Sequence, residues 1–237
     1  MADLKYIFSS LLVSIAIVVV LFIGSLQLVI FNDVLFKWHY ETHQITETTK
    51  MTVPDLMAVT DQLLEYIKDN EDHMVIESSI DGVNQEVFGE REKAHMIDVK
   101  NLYIGARNMQ WLSLFLLISF IGYGIIKSKI ILSEILMRIR YVMPFLLTIM
   151  IGIGILFALD FNKYFTLFHE LFFSNDLWLL DPKTDIMINM VPEVYFYTVV
   201  MMSLFLFLIG IIITVISVTV IGKRIKADTR PLVHIKR

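Results

Sequence analysis

The chain has 237 residues, 56% of them hydrophobic, and a mean hydropathy of +0.67, well above the apolar share of an ordinary soluble domain. It has no cysteine, which excludes disulfides, cysteine-ligated metal sites, thiolate nucleophiles and lipidation of its own sulfur. The net charge of −4 averages over a strong segregation along the chain, and no repeat or low-complexity segment interrupts it.

Ile7 to Ile30 is an uninterrupted uncharged run, long enough to cross a hydrocarbon core of about 30 Å as a helix. It is longer than the apolar region of a cleavable signal peptide and lacks a small-residue cleavage site, so it reads as a retained signal anchor. Residues 31–110 follow, with 15 acidic and 7 basic residues. Within them, VPDLMAVTDQLLEYIKD from Val53 places Pro54 at a favourable first-turn position. Its Leu56, Val59, Leu63, Leu64 and Ile67 recur at helical spacing, which predicts an amphipathic helix. Asp81-Gly82 between short apolar runs predicts a small hairpin. Glu90 to Met109 has no Gly or Pro before Gly105 and predicts a helix feeding the next apolar run.

Three more runs are long and apolar enough to span: Trp111 to Ile126, Tyr141 to Leu159 and Val194 to Ile221. The first is short enough that Lys127 and Lys129 would snorkel. Between the second and third spans lie Lys127, Lys129, Arg138 and Arg140 against Glu134. The tail carries Lys223, Arg224, Lys226, Arg230, Lys236 and Arg237 against Asp228. Both stretches read as cytoplasmic by the positive-inside rule. Residues 160–193, with 6 acidic and 2 basic residues, face outward with 31–110, and both termini fall inside. The expected fold is an all-α membrane protein, four transmembrane helices with a small, mainly helical extracellular cap. Its divisions are 1–30 (span), 31–110 (cap), 111–126 (span), 127–140 (cytoplasmic connector), 141–159 (span), 160–193 (second extracellular loop), 194–221 (span) and 222–237 (basic cytoplasmic tail). Trp38 and Trp111 are expected at the interface.

In the second outer loop Phe161, Tyr164, Phe165, Phe168 and Phe172 form a helical stripe with His169 at its edge. Ser174-Asn175-Asp176 would end that helix. Asp181-Pro182 reads as an N-cap with a first-turn proline, starting a short second one.

The six histidines are His39, His43, His73, His95, His169 and His234. None lies inside an expected span, which counts against an intramembrane haem. HELFF from His169 misses the zinc-protease pattern H-E-x-x-H because position 173 is Phe, and no G-x-S-x-G supports a serine hydrolase. The ordinary role of any one of these histidines is a surface or interface residue, and of an aromatic stripe, packing. Two stand apart. Asp98 follows His95 by three residues, so on a helix it shares a face and is placed to fix its tautomer. His169 lies among apolar rings, where partial desolvation tunes its basicity.

GEREKAHMIDVKNLY leading into the second span, FHELFFSNDLWLLDPKTDIMINMVPEVYF leading into the fourth, and the four-span layout together resemble the lipoprotein intramolecular transacylase family of Gram-positive bacteria. The resemblance implies a membrane enzyme that moves the acyl chain on the glyceryl sn-2 oxygen of a diacylglyceryl lipoprotein to the amine of its N-terminal cysteine. It implies two catalytic histidines at the positions of His95 and His169, no cofactor and no metal. The partners it implies are the membrane-anchored lipoprotein and the bilayer, with no nucleic acid. From the amine nitrogen through Cα, Cβ, sulfur, two glyceryl carbons and the ester oxygen to the carbonyl carbon, the attack closes an eight-membered ring, so holding the two ends together is the enzyme's main task. His95, oriented by Asp98, is expected to take the amine proton and His169 to assist the ester oxygen. Phe165, Phe168, Phe172, Phe173 and Trp178 are expected to fold the diacylglyceryl stem back beside His169, and Arg91, Asp98, Tyr103 and Asn175 complete the substrate-binding candidates. Three rival readings remain: a non-enzymatic sensor or accessory protein binding lipid or peptide through the cap, a channel or transporter, and a metal-dependent hydrolase using His95, His169 and Glu170 or Asp185.

Overall fold

The computed structural model describes residues 2–234; of the expected basic tail, Lys236 and Arg237 lie outside the described residues. The elements in order are α1 (Ala2–Ile30), α2 (Asp33–Thr42), α3 (Ile45–Thr49), α4 (Val53–Ile67), β1 (Glu77–Ile80), β2 (Val83–Glu86), α5 (Glu90–Lys127), α6 (Lys129–Leu159), α7 (Phe161–Phe172), α8 (Ile186–Met190) and α9 (Glu193–His234). Helices α1, α5, α6 and α9 are each long and apolar enough to cross a membrane, and the fold is an all-α membrane architecture with one two-stranded sheet. The chain divides into two compact units. One comprises the described residues up to Ser25, Asn108–Ile155 and those from Ser203 onward, the other Leu26–Arg107 and Leu156–Met202.

The first unit is built from the apolar lengths of the four long helices. Ile135, Ile139, Met143, Phe207, Ile211 and Val218 are buried together there, and Phe22 meets Phe207 edge-on at 5.9 Å. Helices in lipid gain little from hydrophobic exclusion and pack through close backbone approach at small residues. At Gly154, a Cβ would sit 2.9 Å from Leu204 Cδ1, so the glycine is what admits the leucine. The segment expected as a connector, residues 127–140, is helical except at Ser128. Ser128 Oγ accepts the Ile131 N–H at 3.3 Å and caps α6. Leu132, Ile135, Ile139 and Met143 are buried along it, one stripe that runs straight through the charged residues.

The second unit has its own core, including Leu35, Phe36, Tyr40, Leu56, Val59, Leu64, Met96, Met187 and Tyr195. The amphipathic segment from Val53 forms α4, with the Thr52 side chain accepting the Asp55 N–H at its start. The hairpin pairs Ile80 with Val83, and Asp81 and Gly82 both have positive φ, 53° and 80°, as a type I′ turn requires. Helices α2 and α3 have no counterpart in the sequence reading. The buried face of α2 is Leu35, Phe36, His39 and Tyr40, and a histidine and a tyrosine in that stripe conceal its period.

The helix expected from Glu90 to Met109 does feed the apolar run: α5 runs unbroken through Gly105 for 38 residues, about 57 Å of helix. One expectation is corrected here. The short helix after Asp181-Pro182 starts later, at Ile186 with Asp185 as N-cap. The Asp181 carboxylate instead accepts the Lys183 N–H at 2.9 Å, its carbonyl accepts from Thr184 and Asp185, and its own N–H donates to Asp185 Oδ2. These bonds close an Asx-type turn around Pro182.

Candidate active site

His95 lies in the second turn of α5, and the start of α5 is held by Glu92. Gly89 precedes the helix. Glu92 Oε2 reaches back to accept the Gly89 N–H at 2.6 Å, the carboxylate half of a capping box. Its other oxygen accepts the Met187 N–H, also at 2.6 Å, at the beginning of α8. Glu92 is 1% exposed, so both bonds are shielded from water. This residue was absent from the sequence-derived site, although the acid three positions after Gly89 is a recognisable helix-start signal. One turn later comes His95.

His169 comes from α7, which Asp160 starts by accepting the Lys163 N–H at 3.2 Å. Its ring lies 6.2 Å from that of His95, centroid to centroid, tilted by 35°. His169 Nδ1 is 2.7 Å from the carbonyl oxygen of Phe165. A carbonyl only accepts, so Nδ1 carries the proton and the neutral ring keeps its lone pair at Nε2. Burial holds the His169 pKa below the ordinary imidazole value, with the Phe165 carbonyl acting weakly the other way. The lone pair therefore survives at neutral pH.

The rings around His169 are those expected from its sequence neighbourhood. Phe165 is 4.4 Å away, Trp178 4.9 Å and nearly parallel, Phe168 5.4 Å and Phe173 5.6 Å. Phe173 also meets His95 edge-on at 5.3 Å, joining the two imidazoles. Phe172 stands one shell further out, against Phe168 at 4.8 Å.

The loop after α7 is laced to α5 on both sides of His95. Arg91 donates to the Asp176 carbonyl and lies 3.6 Å from its carboxylate, while Asn175 Nδ2 donates to Asp98 Oδ2 at 2.8 Å. Asn175 also accepts the Leu177 N–H on its side chain and the Trp178 indole N–H on its carbonyl. One asparagine thus fixes both the loop and the indole that covers His169.

One site expectation needs correction, and another residue lies away from the histidines. Asp98 does not orient His95: its recorded hydrogen bond is to Asn175, and His95 Nδ1 is buried without a hydrogen-bond partner. A residue 77 positions away competes for the carboxylate, which i,i+3 spacing alone does not reveal. Tyr103 packs edge-on against Phe31 at 5.3 Å beneath Arg107 and makes no ring contact with either histidine. Eight residues beyond His95, it lies about 12 Å further along the helix. His39, meanwhile, is a core residue, packed against His43 at 4.7 Å and Tyr195 at 5.0 Å. Among the described residues no group of three or more His, Asp or Glu side chains is placed to hold a metal ion.

The arrangement of one imidazole with a preset lone pair, a second imidazole beside it and an aromatic wall suits proton transfer next to an apolar chain. Comparison with known proteins bears on this. The chain is similar to the crystal structure of the membrane-integral lipoprotein intramolecular transacylase Lit from Bacillus cereus, with a TM-score of 0.78 and 22% identity over 95% of this chain and 99% of that one. A form of that protein with a histidine replaced by alanine matches at a TM-score of 0.71 and 22% identity over 95% and 97% of the two chains. Comparison with curated protein sequences gives no match. The family model described as "Lipoprotein intramolecular transacylase Lit" matches residues 11–196, a stretch that includes both histidines and the loop that laces them, and the chain belongs to this family.

Proposed function

We propose that this protein transfers the sn-2 acyl chain of a diacylglyceryl lipoprotein to the α-amine of the same molecule's N-terminal cysteine, leaving the lyso form. The observation that carries the reading is the Phe165 carbonyl on His169 Nδ1, which leaves Nε2 as a base. The roles expected from sequence are thereby exchanged. The amine, mostly cationic at neutral pH with a pKa of about 8, first releases one proton to solvent, and His169 Nε2 takes the second as attack proceeds. The nitrogen attacks the ester carbonyl carbon, and the carbonyl C=O bond opens to a tetrahedral oxyanion. His95, with Nδ1 closed off in the interior, works through Nε2, donating to that oxyanion. Collapse breaks the bond between the acyl carbon and the sn-2 oxygen, and the departing alkoxide takes the proton from His169. No external acyl donor enters the balance, and one proton leaves to solvent.

A positioned acid or base contributes roughly 10² to 10⁴ in rate, and intramolecular alignment supplies effective molarities on the order of 10⁵ to 10⁸ M. The wall of Phe165, Phe168, Phe173 and Trp178 serves that alignment. We place the site on the outer face of the membrane with both termini inside, because the acidic excess lies in 31–110 and 160–193 and the basic excess in 127–140 and the tail.

The test is mass spectrometry of lipoprotein N-termini in a host lacking this activity, expressing wild type, His169→Ala or His95→Ala. Wild type yields N-acylated lyso product, and each variant inserts but yields less than about one hundredth of it. Near-wild-type product from His169→Ala would sink the role given to that residue.

A further inference from the structure

A cavity of about 190 Å³ opens beside the histidine pair, lined by Asp98, Asn101, Leu102, Phe172, Phe173 and the Ser174-Asn175 turn. It shares Phe173 with both imidazoles. Its volume falls below the roughly 300 to 1,000 Å³ of pockets that enclose a drug-sized ligand, a size that suits a small polar group. Asp98 is the one charged residue in its lining.

The charge of Asp98 is poorly answered. Its recorded partner is a neutral amide, Asn175 Nδ2. The cations on the same face and its neighbours are engaged elsewhere: Arg91 with Asp176, Lys93 with Glu86 and Glu90, Lys100 with Asp69, and Arg107 with the Lys68 carbonyl. Among the described residues no salt bridge reaches Asp98. A half-buried carboxylate with spare lone pairs, flanked by the amides of Asn101 and Asn175, suits a small cation bearing several N–H donors.

We infer that this cavity is the subsite for the primary ammonium of the substrate's N-terminal residue, with Asp98 as its anion and Asn101 and Asn175 as neighbouring polar groups. The inference rests on the acyl-transfer reading and adds a direction to it. An ammonium held here, in a cavity whose wall Phe173 also packs on His169 at 5.6 Å, is presented beside the base. Once the nitrogen is acylated it becomes a neutral amide with a single N–H, the ion pair disappears, and the product is released from this contact. The subsite therefore selects lipoproteins whose amine is still free.

The experiment uses the full-length protein in nanodiscs and two non-reactive probes, a dialkyl-ether glyceryl-thioether cysteine peptide with a free amine and its N-acetyl derivative. Wild type is expected to bind the free amine at least about tenfold more tightly than the acetylated probe. Asp98→Asn, which preserves shape and the hydrogen bond with Asn175 after an amide flip, is expected to lose most of that preference. On the ester substrate it is expected to raise KM about tenfold with kcat within about threefold of wild type. Equal binding of the two probes by wild type, or an undiminished preference in Asp98→Asn, overturns the subsite. Transfer by wild type is measured alongside. If wild type transfers but does not discriminate, the subsite alone is wrong. If it discriminates but does not transfer, the subsite stands and the acyl-transfer reading is wrong.

Discussion

The second unit contains two imidazole pairs, and they differ in instructive ways. His39 and His43 are neighbours on one turn, with rings 4.7 Å apart, closer than the 6.2 Å of His95 and His169. Yet His39 is closed into the core against Tyr40 and Tyr195, and His43 Nδ1 contacts the His39 carbonyl. The second pair adjoins a cavity through Phe173, and its covering rings Phe168 and Phe172 are exposed on their outer sides. Proximity of two imidazoles is thus not what distinguishes them. What sets the second pair apart is the lone pair left at His169 Nε2 and a cavity that begins at the neighbouring Phe173.

The largest effect that would break this contrast is on turnover. His169→Ala is expected to cost 10² to 10⁴ in rate with little change in stability, whereas His39→Ala is expected to cost roughly 2 to 4 kcal/mol of stability, as for other large-to-small core changes, with the rate of the surviving folded protein nearly unchanged. Acyl transfer per folded molecule separates the two, and a dead but stable His39 variant would erase the distinction.

Next comes Glu92, the tie between α5 and α8. Glu92→Ala strands two buried N–H groups and is expected to lower stability by about 2 to 4 kcal/mol. Glu92→Gln keeps one acceptor and should lose about half as much. Thermal unfolding in detergent reads the difference, and equal losses for the two would show that the bonds are not what matters.

Acidification is the third probe. Burial holds His39 at about 4, with His43 pushing the same way, against about 6.5 in an unfolded chain. Its stabilising contribution is present above pH 6.5 and is lost as the pH falls towards 4, because the unfolded chain then binds the proton that the folded one refuses. Unfolding free energy should decline across that window, and His39→Gln should flatten the decline. For His169, also lowered, the acid limb of turnover by the bound complex should lie below pH 6.5. A separate limb near 8 is expected from the substrate amine, and the absence of any limb below 6.5 would contradict the burial seen here.

The smallest effect is expected at the hairpin. Gly82 has φ +80° and open space around its Cβ position, so Gly82→Ala should cost about 1 kcal/mol through backbone strain alone. Since the turn touches neither pair, turnover should not move, which calibrates how far mild instability alone affects activity.

Much of this architecture was legible because it is local. The four apolar runs, the helix from Val53, the Asp81-Gly82 turn and the aromatic stripe around His169 are all statements about residues in one contiguous stretch of chain. The meeting of His95 with His169 was legible only through the family resemblance, since no spacing rule reaches across 74 residues. Asp98 shows why the rest was hidden. Its position three after His95 was a sound geometric argument, and a distant asparagine took the hydrogen bond. Glu92 was visible in principle, as an acid at the third position of a helix, but its second partner at Met187 was not.

The group that orients His169 is a main-chain oxygen. A genetic screen for the third member of a triad would therefore come back blank, because no side-chain replacement at position 165 deletes that atom. Sequence drift at that position is free to trade one ring for another as long as α7 stays wound. Only a change to the backbone, such as an ester in place of the amide that carries this oxygen, would weaken it as an acceptor and slacken the base's fixed tautomer.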